Sequence, residues 1–394
     1  MDQGGQHMNL KEMDSAFIAG TYARFPVEIV KGQGAILTAS DGREYIDMGS
    51  GIAVNTFGAA DPVWARAVAD QAATLQHTSN LYYTVPCVRL AQLLTSRTGL
   101  KKVFFSNSGA ESNECAIKAA RKYGADRLGY ELPVIVTLKN SFHGRTLGTL
   151  AATGQDHYHE QFRPLPEGFV HVAAGDTAGL IDAFKRHTVC ALMIECIQGE
   201  GGVVPLDPAW AREAQQIVRD NNALLLIDEV QTGNGRTGQL YAYMALGLEP
   251  DVVSTAKGLA GGLPLGATML GERVMDIFAP GDHGSTFGGN PVCCAAAVSI
   301  MERLTDDLLL SVRQKGAFLR EELLKMQGVT AVSGMGLMLG VSTVRPAREV
   351  VKNAMDLGVL CLTAKDRVRL LPPLNITEEQ LKKALQIIQT AVGP

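Results

Sequence analysis

Between about residues 100 and 290, short continuous apolar runs alternate with stretches whose apolar residues recur at helical spacing. The runs at 103–105, 134–136, 191–194, 223–227, 252–254 and 265–270 read as strands. Helices are predicted over 110–123 and 208–221, the second with a proline in its first turn, where no amide hydrogen is required. Strands that are apolar on both faces must be covered on both faces, so the pattern predicts a mostly parallel central sheet with helices on each side. After residue 290 the texture changes. Helices over 292–304, 308–326, 346–357 and 377–391 alternate with short strands near 337–342, 359–362 and 368–371, which describes a smaller α+β domain. The first fifty residues are broken by proline and glycine, with a hairpin over 32–47, and are too short to fold alone. The expected division is an N-terminal segment (1–55) docking on the small domain, a large domain (56–304) and a C-terminal small domain (305–394).

Composition narrows the function classes. A chain of 394 residues with 46% hydrophobic and 19% charged residues can build a large core, which excludes wholesale disorder. Thirty-six basic against 40 acidic residues leave −4, without the basic excess that a nucleic-acid binder needs, so no nucleic-acid partner is expected. No apolar stretch approaches the roughly 18 residues of a membrane span, and no membrane partner is expected. The N-terminus lacks a basic region followed by an apolar one, so no secretory signal is expected, and Met8 offers an alternative start. The seven cysteines are odd in number, form no CxxC and sit mostly in apolar runs, as expected of reduced thiols in a cytoplasmic protein. Glycine is the outlier: 42 residues, of which 16 fall between 199 and 289.

Three predicted strand ends carry unusual residues, and strand ends of a parallel sheet are where ligands gather. The turn Ser106-Asn107-Ser108-Gly109-Ala110 opens a helix, whose free amide groups suit either a simple N-cap or a bound phosphate. Asp228 follows the apolar run 223–227, where an acid caps the next turn or is paired, metal-bound or cofactor-bound in a dry crevice. Lys257 follows 252–254 and precedes Gly258, Gly261 and Gly262. It is either a snorkelling side chain or a desolvated amine that attacks aldehydes. An anion pocket, a buried carboxylate and a buried lysine together are what pyridoxal phosphate requires.

Seven motifs, in order, carry a resemblance over nearly the whole chain from about residue 25. They are SNSGAESNECAIKAARK (106–122), NSFHGRTLG (140–148), IECIQGEGGV (194–203), LLIDEVQTGNGRTG (225–238), STAKGLAGGLPLGA (254–267), HGSTFGGNPVCCAAA (283–297) and VRLLPPL (368–374). The chain resembles the class III (ω-) aminotransferases, pyridoxal 5'-phosphate enzymes of fold type I. The resemblance implies an α/β fold, with residues 56–304 as the cofactor-binding domain, and a homodimer with a shared active site.

The resemblance also implies roles. Lys257 would hold the cofactor aldehyde and shuttle the proton. Asp228 would keep the pyridine nitrogen protonated. Ser108, Gly109 and Ala110 would bind the phosphate, joined by Thr286 of the neighbouring subunit. Phe142 would stack on the ring, Val230 on its opposite face, with Gln231 near the ring hydroxyl and Glu229 a further cofactor contact. His143 is expected to have a structural or ring-edge role and no part in proton transfer. Arg145 and Arg369 match carboxylate-binding arginines, because guanidinium forks grip carboxylates. Glu200 matches an acid that masks Arg369 when the substrate has one carboxylate, and Ser285 is a further substrate contact. The implied substrates are an acylated diamino acid as amino donor and 2-oxoglutarate, which becomes glutamate; ornithine or 4-aminobutyrate as donor, and an aminomutase, are the alternatives within the resemblance. Where ornithine-specific members are expected to carry a bulky tyrosine near Gly51, the small residues of the run Gly49 to Val54 would leave room for an acyl group, and Gly58-Ala59-Ala60-Asp61-Pro62 departs from the family's glycine–histidine…histidine–proline pattern. His157 and His159 lack a third ligand, and no metal is expected.

Overall fold

A computed structural model describes residues 8–393, so the reading of the residues before Met8 lies outside them. The central sheet has seven strands, in the order Lys102–Ser106, Gly266–Leu270, Val252–Thr255, Leu224–Asp228, Val189–Glu195, Val134–Leu138 and Phe169–Val172. Every residue of Leu224–Asp228, Val189–Glu195, Val252–Thr255 and Gly266–Leu270 is buried. Their side chains alternate between two cores. Met193, Leu224, Leu226 and Val252 pack with Ala116, Ile117 and Ala120 of the helix Gly109–Leu128. Leu192, Ile194, Leu225, Ile227 and Val253 face the opposite core, with Trp210 and Val218 of the helix Pro208–Asp220. This two-sided burial is the physical reason for the unbroken apolar runs.

The sheet is mostly parallel, with one exception. Gly266–Leu270 runs antiparallel to both neighbours. Only residues 256–265 separate it from Val252–Thr255. A parallel return needs a crossover of about a dozen residues or more, so this short connection forces the reversal.

The C-terminal part builds a four-stranded antiparallel sheet, Val329–Met335, Met338–Thr343, Arg367–Leu370 and Leu362–Ala364. Helices Asp306–Leu324, Ala347–Leu357 and Glu378–Val392 accompany it. The first of these strands lies outside the predicted pattern, because it is half-exposed and lacks a clean alternation. The predicted hairpin region forms three antiparallel strands, Ile29–Gln33, Ile36–Ala39 and Glu44–Asp47, extended by a parallel pairing with Val359–Leu360. Helices Pro62–Thr74, Val85–Thr98 and Thr177–Arg186 also lie outside the predicted pattern. Buried Arg236 joins the parts, donating to the carbonyls of Leu337 and Pro372 and to Ser50 Oγ.

Candidate active site

Lys257 stands where the strand Val252–Thr255 ends, in a left-handed conformation (φ +46°). A side chain that is not glycine is strained there by about 1–2 kcal/mol, and the surroundings hold it. Asn234 Nδ2 donates to Ala256 O (3.1 Å) and Thr56 Oγ1 to Gly258 O (2.7 Å). A Cβ on Gly258 would meet that hydroxyl at 2.8 Å, so the turn needs glycine. Lys257 retains some solvent access, yet burial lowers its pKa, and the charges of Glu200, Asp228 and Glu195 only partly oppose this. The amine is therefore shifted toward its neutral, nucleophilic form.

Asp228 closes the neighbouring strand and is buried. Its Oδ2 accepts from Asn113 Nδ2 (2.7 Å) and lies 2.9 Å from His143 Nδ1, while Oδ1 accepts from the Val230 amide (3.0 Å). Burial disfavours the His143 cation, but Asp228 outweighs it and raises the imidazole above its usual range. Behind this pair sits Glu195, buried beside the Phe142 amide (3.0 Å), with burial pushing its carboxyl up to about 7. Asn113 is itself oriented by Ser254 Oγ, which donates to its Oδ1.

The helix Gly109–Leu128 opens beside these strand ends. Ser108 caps it, its Oγ accepting from Glu111 N and its carbonyl from Ser112 N. The amides of Gly109 and Ala110 are left over at the positive end of the helix dipole, which suits an anion. A Cβ on Gly109 would lie 2.6 Å from Val230 Cγ1, so helix start and Val230 touch only through the missing side chain.

Arg369 is buried and pairs with Glu200 at 2.5 Å. Gln231 bridges both, accepting from Arg369 Nη1 (3.2 Å) and donating to Glu200 (3.4 Å). Burial pushes the Glu200 carboxyl up, but Arg369 dominates and holds it below its ordinary value. Arg369 Nε is buried without a partner among the described residues. Arg145 is exposed, its guanidinium over the rings of Tyr158 (4.7 Å) and half-buried Phe142 (5.6 Å).

Three expected residues stand apart. Glu229 is turned into the core, its carboxylate accepting from Thr232 Oγ1 (2.5 Å) and the Tyr243 amide (2.7 Å). The residue expected as a further cofactor contact thus has its carboxylate engaged by the loop that follows Asp228. Ser285 Oγ accepts from Asn107 (3.1 Å) and the Gly288 amide (2.9 Å), and Thr286 is exposed. Both line a surface cavity with Asn80 and Cys87. Residues that sequence reasoning missed are Asn113, Glu195, Ser254 and Tyr158. Asn113 has a signal, a polar residue on the buried, small-residue face of the helix Gly109–Leu128; the others have none that stands out locally.

The assembled groups are a depressed-pKa lysine, a carboxylate clamped by three donors, a helix N-terminus, a flat aromatic wall and two arginines. Such a set can hold an anionic, planar aldehyde and carboxylate-bearing substrates. The class-III aminotransferase family profile matches residues 17–392. The acetylornithine aminotransferase of Haemophilus ducreyi is 48% identical over 381 residues, covering 96% of this chain and 97% of that protein. Among solved structures, the ornithine aminotransferase of Toxoplasma gondii ME49 has a TM-score of 0.92 at 32% identity, covering 96% of this chain and 93% of that one. The N-acetylornithine aminotransferase of Stenotrophomonas maltophilia K279a has a TM-score of 0.84 at 33% identity, covering 97% and 98%. The chain belongs to the class-III aminotransferases, fold type I enzymes that use pyridoxal phosphate.

Proposed function

We propose that the enzyme transfers the terminal (δ) amino group of N2-acetylornithine to 2-oxoglutarate, giving N-acetylglutamate 5-semialdehyde and glutamate, in arginine biosynthesis. The observation that carries this reading is the Glu200–Arg369 pair within electrostatic reach of Lys257, with Arg145 left without an ion pair among the described residues. The donor brings one carboxylate, for Arg145, while Glu200 neutralises Arg369. The acceptor brings two, and Glu200 must release Arg369 to receive the second. Relatives named acetylornithine aminotransferase, 38–48% identical to this chain, support the same reading.

The cofactor fits the residues present. Lys257 offers an amine biased toward neutrality, Asp228 a clamped acceptor for a ring N–H, and Gly109 and Ala110 free amides for the phosphate. Phe142 and Val230 would flank the ring, with Gln231 near its hydroxyl. Pyridoxal phosphate, when bound, supplies the aldehyde that receives the amino group and the ring that withdraws electrons from the adjacent carbon. Lys257 Nζ, biased toward its neutral form, would serve as the base that accepts the proton of the substrate carbon and would hold it for return. Asp228 would keep the ring nitrogen protonated, with His143 and Asn113 fixing the carboxylate plane. The arginines orient the substrate so that its reacting carbon faces Lys257.

A second copy of the chain is the partner we infer. Leu81, Tyr82, Tyr83, Val85 and Phe287 are exposed large apolar residues, and Val88 joins Thr286 along the nearby cavity. Apolar exposure of this kind supports an interface, which would bring Thr286 to the neighbour's phosphate site and Ser285 to its substrate. No described helix is long and apolar enough to cross a membrane; a cytoplasmic setting accords with seven unpaired cysteines. We take residues 1–55, 56–304 and 305–394 as the working domain division.

Comparing N-acetylornithine, N-succinylornithine, ornithine and 4-aminobutyrate as donors to 2-oxoglutarate tests the assignment. The highest kcat/KM is expected for N-acetylornithine; preference for unacylated ornithine or 4-aminobutyrate overturns it.

A further inference from the structure

We propose that Tyr158 is a positioning residue for substrate carboxylate binding: its ring holds the Arg145 guanidinium over the aromatic wall formed with Phe142. The inference rests on the reading of Arg145 as the arginine that meets the carboxylate of both substrates.

Arg145 is exposed and has no ion pair among the described residues. A long exposed arginine samples many rotamers and loses that freedom on gripping a ligand. Here its guanidinium lies 4.7 Å from the Tyr158 centroid and 5.6 Å from that of Phe142. The two rings meet edge-on, at 5.8 Å and 68°. A cation over a ring face is attracted by the ring quadrupole while its N–H edges stay free. Tyr158 thus restricts Arg145 without consuming the donors a carboxylate needs.

The platform is anchored on both sides of Tyr158. Gln155, buried, donates through Nε2 to Ser141 O (3.0 Å), one residue before Phe142. His159, buried, places Nε2 at 2.9 Å from Leu150 O and 2.7 Å from Thr153 O. These bonds tie the turn Asp156–Tyr158 to Ser141, the neighbour of Phe142, and to the helix Leu147–Ala152 and its C-cap, which follow Arg145. His157 packs on the Tyr158 ring at 4.0 Å and limits its rotation.

Three variants test this: Arg145→Gln, Tyr158→Leu and Tyr158→Phe, with the Arg145→Gln/Tyr158→Leu double. The readings are KM and kcat for both half-reactions, and the Kd of glutarate, a non-reacting dicarboxylate, with melting curves throughout. Tyr158→Leu should raise both KM values and the glutarate Kd about tenfold, with kcat within about twofold. Tyr158→Phe keeps the ring and should restore wild-type values. The double variant should bind glutarate no worse than Arg145→Gln alone. Tyr158→Thr takes the place of the leucine variant if that one fails to fold. An unchanged glutarate Kd in Tyr158→Leu, beside a weakened one in Arg145→Gln, overturns the role of Tyr158 alone. Fully additive losses in the double variant also overturn it, since Tyr158 would then act independently of Arg145. An unchanged Kd in Arg145→Gln removes the underlying reading of that arginine, and the inference with it.

Discussion

His143 Nδ1 lies 2.9 Å from Asp228 Oδ2, and both side chains are sealed from solvent. This pair helps fix the carboxylate that we propose meets the ring nitrogen of the cofactor. Removing the imidazole leaves a buried carboxylate short of a donor and opens a void. His143→Ala should therefore lose about 3 kcal/mol of stability in denaturant unfolding and bind pyridoxal phosphate more weakly by equilibrium dialysis. The imidazole pKa is raised, so its charged pairing is complete below the ordinary value near 6.5 and lost as pH climbs through the folded value. The stability gap between wild type and His143→Gln should shrink in the same direction. A gap that widens with pH contradicts the pairing.

Glu200→Ala frees Arg369. The glutamate half-reaction should be kept or improved, while kcat/KM for one-carboxylate donors falls about tenfold. Steady-state kinetics on both half-reactions would show this as a change in selectivity; unchanged values in both would remove the switch. Because Arg369 holds the Glu200 carboxyl low, the pairing persists as pH falls to the ordinary range near 4.5 and is lost only below it, through the folded value. Donor selectivity of the wild type should thus stay flat between pH 5 and 8.

Lys257→Met should give a colourless protein that borohydride cannot label with cofactor. The apoprotein carries a second signature. Burial lowers the lysine pKa, so the folded state sheds its proton earlier than the unfolded chain does. Wild-type stability then rises with pH from the folded value up to about 10.5. The Lys257→Met apoprotein should be the more stable at neutral pH, with an advantage that shrinks toward pH 10 in melting experiments.

Glu229→Gln probes the loop brace. Burial pushes this carboxyl from about 4.5 up to about 7, so the folded state holds an extra proton in that window. Stability must fall as pH rises across it. The glutamine variant should flatten the melting temperature between pH 4.5 and 7 and leave the cofactor spectrum unchanged. A shifted absorption band would place Glu229 at the cofactor after all.

Much of the centre was legible because its signals are local. Asp228 and Lys257 each follow a run of buried apolar residues, and a charge at the end of such a run must be accounted for chemically. Glycines inside and outside the cluster also gain a meaning. Gly199, Gly258 and Gly109 each stand where a Cβ would strike Gln231, Thr56 or Val230, three side chains of the site. Composition shows the excess, but only packing shows what each glycine avoids.

Other features depend on residues far apart in the chain. Asn113 meets Asp228 across 115 positions and Glu200 meets Arg369 across 169. No periodicity connects such pairs. Glu229 shows the converse: adjacent to Asp228 in sequence, it points into a different environment because successive side chains leave an extended backbone on opposite sides. The sequence by itself determined the layered fold, the strand ends and the chemistry available there, since apolar spacing and unusual charged residues are written locally. The tertiary structure decided the reversed strand, the clamp on Asp228, the masking of Arg369 and the ring beneath Arg145. Each is a relation between segments, set by how long the connection is and which faces must be buried.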